Sequence, residues 1–206
     1  MKRKIGLFIL ILIMFPKIIF ANEILVKNAG FEENKNGKLT SWGIYDWKNR
    51  EGVSEVRWDD SQKRSGSGSA FVKSIYPNDL RIKQKIKVDK DSYYKISCWV
   101  KTESVGYMNI GANISIEGLG VTSADVKGTS STWRYMELIG KTGPNQRNLT
   151  VTLGIGGYGS LNSGKAWFDD LSVEKLDSLP AGVEAVDFFS GLTDSSSWLK
   201  EASNGI

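Results

Sequence analysis

The sequence predicts an all-β protein, an antiparallel β-sandwich of jelly-roll topology, and three observations carry that expectation. Apolar and polar residues alternate with a period of two through nine short runs between residues 22 and 176, the pattern of strands with one face in a core. Between the runs lie turn-rich stretches such as NKNGK, KRSGSGS, KTGPNQRN and GGYGSLNSGK. No segment there has a helical period, and this many strands in one domain's length suit two packed sheets.

In chain order the expected strands are 24–27 (ILVK), 53–58 (VSEVRW), 70–73 (AFVK), 80–88 (LRIKQKIKV), 93–101 (YYKISCWVK), 107–116 (YMNIGANISI), 133–139 (WRYMELI), 149–155 (LTVTLGI) and 166–173 (AWFDDLSV). Residues 1–21 precede them and read as a secretory signal peptide. Met1 to Lys4 is basic, 6–15 (GLFILILIMF) is apolar, and Ala21 is a small residue at the cleavage position. Pro16 and Lys17 interrupt the apolar run well short of the about 20 residues a spanning helix needs. A secreted or extracellular protein, at the cell surface or free, is therefore expected, with no membrane contact once the signal is removed. Residues 177–206 lose the strand alternation and read as a linker or C-terminal appendage to the 22–176 module.

Charge excludes one class of partner. The chain has 27 basic and 23 acidic residues; Lys2, Arg3, Lys4 and Lys17 leave with the signal, so 23 face 23 and no nucleic-acid partner is expected. Within that balance, residues 177–206 carry five acids against Lys200, which leaves 22 minus 18, or +4, on residues 22–176. A single cysteine, Cys98, forms no internal disulfide. The absence of histidine removes most zinc sites, the Ser-His-Asp and Cys-His nucleophile systems and the commonest general base.

Alternation then assigns faces. In 107–116, Met108, Ile110, Ala112, Ile114 and Ile116 point to the core, and Tyr107, Asn109, Asn113 and Ser115 away from it. In 93–101 the core face is Tyr94, Ile96, Cys98 and Val100, which leaves Trp99 outside. If these strands are neighbours, Trp99 lies beside Tyr107 and Asn109. An aromatic ring next to amides suits a sugar, whose C–H face packs on the ring while its hydroxyls take hydrogen bonds; the alternative is that a loop or the tail covers Trp99. Further candidates are Tyr45 and Trp47 in the loop-like segment WGIYDW, Tyr76, Tyr158 in GGYGS, and Arg81, which points away from the core of its strand.

The stretch WFDD raises a separate question. Asp169 and Asp170 are adjacent, so they project to opposite faces and cannot form a glycosidase pair with each other. Alternation with Leu171 and Val173 places Asp169 on the inner face with Trp167. Two readings stay open for it: calcium coordination together with Glu32 of NAGFEE and backbone carbonyls, or capping of backbone N–H groups in a neighbouring turn.

Six stretches, LVKNAGFEE, TSWGIYDW, KRSGSGSAFVK, YYKISCWVK, STWRYMEL and GKAWFDDLSVEKL, resemble in order the landmarks of calcium-containing β-sandwich carbohydrate-binding modules of the families four, nine and twenty-two kind, with a galactose-binding-like jelly roll. The resemblance covers about residues 23–176. It implies binding of polysaccharide or oligosaccharide without chemistry, and a structural calcium held by Glu32 and Asp169 with carbonyls near Ser65 and Gly66. It also implies that Trp42 and Trp133 pack inside. The expected function is thus a secreted, non-catalytic module, with a tethered catalytic domain as an expected context, as in the accessory part of a glycoside hydrolase or lyase. The alternative is a structural or adhesive sandwich that binds a partner protein, motivated by Phe188, Phe189 and Trp198 in the tail.

Overall fold

The computed structural model describes residues 26–189; the expected signal segment 1–21 and Trp198 lie outside the described residues. The fold is all-β, as the alternation requires, with no helix among the described residues. A small hairpin joins β1 (Asn34–Lys35) to β2 (Lys38–Leu39). A four-stranded sheet has the order β3 (Gly43–Asp46), β6 (Leu80–Lys87), β10 (Asn148–Ile155), β8 (Ala112–Ile116). A six-stranded sheet has the order β12 (Val186–Asp187), β9 (Arg134–Lys141), β7 (Tyr93–Glu103), β11 (Asn162–Leu176), β5 (Ser69–Asn78), β4 (Ser54–Asp59). Every pairing is antiparallel except that of β12 with β9.

The two sheets bury one core between them. Ile82 and Ile86 of β6, Val151, Leu153 and Ile155 of β10 and Ile114 of β8 face Val72 of β5, Ile96, Cys98 and Val100 of β7 and Phe168 of β11, all almost wholly buried. Fully burying one such side chain is worth about 1.5–3 kcal/mol, so the alternating runs specify which face of each strand turns inward.

Four expectations need correction. Residues 26–30 form no strand; the backbone of Lys27 instead pairs through both its N–H and its C=O with the Gln84 amide. The strand expected over 107–116 begins only at Ala112. Residues 107–111 are a loop because the buried Asn162 amide donates to the carbonyls of Gly106, Asn109 and Ile110, and Gly111 N–H goes to the Asp125 carboxylate. Met108 is accordingly 93% exposed rather than in the core. WGIYDW, read as a loop, holds the edge strand β3.

The fourth correction concerns Asp169. A register shift in β11 between Asp169 and Ser172 places Asp169 opposite Trp99 and Ser172 opposite Ser97. Asp170 takes a left-handed backbone there (φ 49°). Extrapolating alternation back across this bulge inverts the faces: Ala166 and Phe168 enter the core, and Trp167 and Asp169 turn outward with Lys101 and Trp99.

The segment after residue 176, expected as linker or appendage, returns to the sheet. β12 pairs with Gly140 and Lys141 of β9. Phe188 is 1% exposed, against Gly140, where an added Cβ would lie 2.2 Å from the phenyl ring.

Candidate functional site

Register determines what the outer face of the four-stranded sheet displays, because residues directly opposite in antiparallel strands share a face. One row across the sheet is Tyr45, Arg81, Gly154, Asn113; the next is Gly43, Lys83, Thr152, Ser115. Gly154 matters to the first row. A Cβ there would fall 2.5 Å from Arg81 Cγ, so the missing side chain lets the Arg81 stem lie across β10 and deliver its guanidinium to β8.

The guanidinium is buried, at 5% residue exposure, and its N–H groups are met by acceptors on several elements. Nε donates to Asp79 Oδ1 at 2.6 Å. Nη1 donates to Asn113 Oδ1 at 3.1 Å, Ser115 Oγ at 2.5 Å and Thr152 Oγ1 at 3.2 Å, and Nη2 to the carbonyl of Gly156. Asn113 Nδ2 donates to the carbonyls of Gly111 and Gly156. A buried cation is tolerated only when paired and hydrogen-bonded, and here Asp79 supplies the charge.

Over this floor lies an open hollow of about 220 Å³, walled by Tyr45, Tyr158, Ile110 and the 117–122 turn, with Asp79, Arg81, Ser115 and Thr152 below. Burial first, and then the Asp79 carboxylate, raise the Tyr45 phenol above its usual value, so the phenol remains a hydrogen-bond donor at neutral pH. Lys83 Nζ stands 6.0 Å from the Tyr45 ring centroid and pairs with Glu117 at 2.5 Å. The arrangement offers aromatic surface, hydroxyls and fixed charges to a small polar ring. Among the described residues it presents no pair of carboxylates across a gap: Asp79 is engaged by Arg81 and Glu117 by Lys83.

Of the sequence candidates, Arg81 and Tyr158 line the hollow and Asn113 lies fully buried beneath it. The others lie elsewhere. Tyr107 is exposed, its hydroxyl over Gly128, and Asn109 is engaged with Leu161 O at 2.8 Å. Trp47 and Tyr76 are exposed near the Asn78–Asp79 crossover, where Trp47 N–H bonds Asp79 O, and neither lines the hollow. Tyr45, a loop aromatic in the sequence reading, and Ser115, an outward hydroxyl there, both line the hollow; Thr152 was not among the sequence candidates. Tyr45 reaches the outer face because its run G-I-Y-D is an edge strand and not a loop.

Trp99 is on the other sheet altogether, since β7 pairs with β9 and β11 and not with β8. The Arg64 guanidinium lies 4.0 Å over its ring, and Tyr135 packs edge-on at 5.5 Å. Arg64 is held in turn by Asp170 at 2.5 Å. The covering loop, one of the two alternatives for Trp99, is the one found.

That loop also meets the expected metal residues. Asp169, fully buried, accepts N–H bonds from Arg64 at 2.7 Å, Ser65 at 3.2 Å and Asp170 at 2.7 Å. Glu32 accepts from Ser67 N and Oγ, both at 2.5 Å. Gly66 (φ 58°) leaves room for the Glu32 carboxylate, which lies where a Cβ would sit. Glu32, Asp169, Ser65 and Gly66 therefore do gather around one turn. Burial pushes the Asp169 carboxyl up to about 6, against its three N–H donors. No basic side chain pairs with it among the described residues, and these include no group of three or more His, Cys, Asp or Glu suited to a metal. A buried carboxylate compensated only by amides suits a hard cation in charge and donor type, with Glu32 as a second carboxylate against the same turn.

No protein-family model matches the sequence, and no curated protein matches it by sequence. Its likeness is to solved structures. A cyclase from Fischerella sp. TAU, in complex with 4-(1H-indol-3-yl)butan-2-one, aligns with a TM-score of 0.56 at 13% identity, over 76% of this chain and 98% of that one. The module TmCBM61, in complex with β-1,4-galactotriose, aligns with a TM-score of 0.51 at 16% identity over 74% and 99%. The enzymatically active domain of bacteriophage CBA120 tailspike protein 4 aligns with a TM-score of 0.51 at 14% identity, over 74% of this chain; the chain spans 21% of that domain's length. The class defined is thus an antiparallel β-sandwich, a fold these solved structures share. At these identities the likeness is one of fold, and the same fold carries a cyclase.

Proposed function

We propose that this chain is a secreted, non-catalytic carbohydrate-binding module that takes an oligosaccharide or polysaccharide on the outer face of its four-stranded sheet. The observation that carries this reading is the buried Arg81 network under an open hollow edged by Tyr45 and Tyr158. It makes a rigid polar floor below aromatic walls, the combination that orients a sugar ring and excludes water from one face. Binding without chemistry accords with the engaged state of both nearby carboxylates. Export, and attachment to a catalytic domain, belong to the same reading and rest on the sequence.

A structural calcium at the Arg64–Ser67 turn is part of the proposal, with Asp169 and Glu32 as carboxylate ligands and backbone oxygens near Ser65 and Gly66 completing the set. Its support is the buried carboxyl of Asp169, which no basic side chain pairs with among the described residues. The ion would tie β11 and the N-terminal turn to this loop, far from the sugar.

Affinity gel electrophoresis of the mature chain across glucans, xylans, mannans, galactans and acidic polysaccharides tests the binding reading. Retention by at least one glycan, abolished by Tyr45→Ala with Tyr158→Ala, is expected. A folded protein retained by none would sink it. For calcium, chelation should lower the melting temperature and Asp169→Ala should remove that sensitivity; an unchanged melting curve leaves amide capping as the whole account.

A further inference from the structure

The hollow is one end of a longer surface. Along β6, Arg81, Lys83, Lys85 and Lys87 all occupy the outer positions, while Ile82 and Ile86 fill the core; β10 flanks the whole strand and β3 only its first half. Alternate residues of a strand stand about 7 Å apart, so these cations form a line from the hollow toward the β9–β10 turn. The first two are neutralised, Arg81 by Asp79 and Lys83 by Glu117. Lys85 and Lys87 are exposed and have no acidic partner among the described residues; opposite them stand Thr150 and Asn148, a hydroxyl and an amide.

The contrast with the rest of the molecule gives those two lysines weight. On the six-stranded sheet, Lys73 pairs with Glu55, Lys95 with Glu174 and Lys165 with Glu103. Those three strand lysines have cross-strand acids, whereas Lys85 and Lys87, farther along β6 from the hollow, have none among the described residues.

We propose that the glycan bound on this face is anionic, a polysaccharide carrying carboxylate or sulfate groups that meet Lys85 and Lys87 while a neighbouring sugar ring occupies the hollow at Tyr45. The proposal rests on the reading of the hollow as a sugar site and specifies the class of sugar. Polysaccharide is favoured over nucleic acid because the residues facing these lysines are hydrogen-bonding side chains, with no aromatic platform for a base in those rows. The mature chain has 23 basic and 23 acidic residues, with +4 on residues 22–176, so a variant that removes equal charge elsewhere is needed to separate this line from bulk charge.

The test compares retention of the mature chain by polygalacturonate, dextran sulfate, neutral xylan and a single-stranded oligonucleotide at low and high salt. Lys85→Ala with Lys87→Ala is set beside Lys73→Ala with Lys165→Ala, which removes equal charge from the other sheet. The expected result is retention by an anionic glycan that weakens about tenfold in the first double variant, weakens with salt, and is unaltered in the second; which anionic glycan binds assigns carboxylate or sulfate. Equal loss in both double variants, or an oligonucleotide held as tightly as the glycan, would overturn the inference. Retention by neutral xylan alone would overturn it and leave the sugar-site reading standing, whereas retention by nothing would remove both. All four lysines are at the surface, and equal melting temperatures check that every variant is folded.

Discussion

On the outer face of the six-stranded sheet, Glu55, Lys73, Lys165 and Glu103 form one row across β4, β5, β11 and β7, and Arg57, Phe71, Trp167 and Lys101 form the next. The charges of the first row pair with one another, and Arg57 pairs with Glu55 and Asp59. Lys101 reaches Gln62 and Arg64 lies on Trp99, so loop 60–68 closes over this face and Phe71 and Trp167 are almost fully buried. The outer face of the four-stranded sheet also holds a buried charge, Arg81, yet no loop closes over it and Tyr45 and Tyr158 stand beside an open hollow. Both faces are amphipathic strand surfaces; what separates them is whether the polar groups are satisfied by a covering segment or from beneath. Satisfaction from beneath leaves the surface free for a ligand.

The largest effect that would break this contrast is at Arg81. Arg81→Ala leaves Asp79 buried without its partner and should cost about 3–5 kcal/mol, read by urea denaturation, and should remove glycan retention as well. Asp169→Ala, on the closed face, leaves three amide N–H groups without their acceptor and should cost about 2–3 kcal/mol without altering retention in the fraction that remains folded. A loss of retention at Asp169 with full stability would mean that the closed face is functional after all.

The pH dependence sharpens the same distinction. In metal-free protein the Asp169 carboxyl is raised from its ordinary 3.8 to about 6, so its contribution to stability is fully present below pH 4 and is lost as pH rises through 6. Two units correspond to about 3 kcal/mol at most. Asp59 behaves oppositely. Burial would raise it, but hydrogen bonds from Trp167, Ser61 and Arg57 outweigh burial and hold it at about 2; its contribution is present above pH 4 and is lost as pH falls through 2. Thermal melts should show greatest stability near pH 4 in chelator, and calcium should restore the loss toward pH 7. A metal-free curve flat between pH 4 and 7 would contradict the buried-charge account of Asp169.

Smaller effects follow at the surface. Tyr45→Ala should weaken glycan binding by about tenfold and stability by no more than about 1 kcal/mol, since Tyr45 lies on an edge strand. Lys73→Ala, which breaks an exposed pair with Glu55 at 3.5 Å, should change stability by under about 0.5 kcal/mol and leave binding unaltered.

Much of the fold was legible because burial on one face writes a period of two into each strand. β4, β6, β7, β9 and β10 lie within a residue or two of their expected positions, and the inward residues of β6, β7 and β10 are those alternation assigns. The failures have specific causes. Side-chain amides satisfied backbone groups that a strand would have used, at Lys27 through Gln84 and at 106–110 through Asn162. The bulge at Asp170 broke parity within a run that looks uninterrupted, and so reversed the face assigned to Trp167 and Asp169. Trp99, Tyr107 and Asn113 were read as one surface because consecutive strands were assumed to pair, whereas β7 and β8 belong to different sheets.

The sequence by itself determined the class of fold and the inward face of most strands. These are properties of local pattern or of residue types with few uses, and composition had already excluded histidine chemistry and internal disulfides. Only the tertiary structure decided which outward face is covered and which is open. That choice depends on where a loop of nine residues comes to rest and on whether a buried guanidinium finds five acceptors from four parts of the chain, and neither is encoded in the periodicity of any one strand.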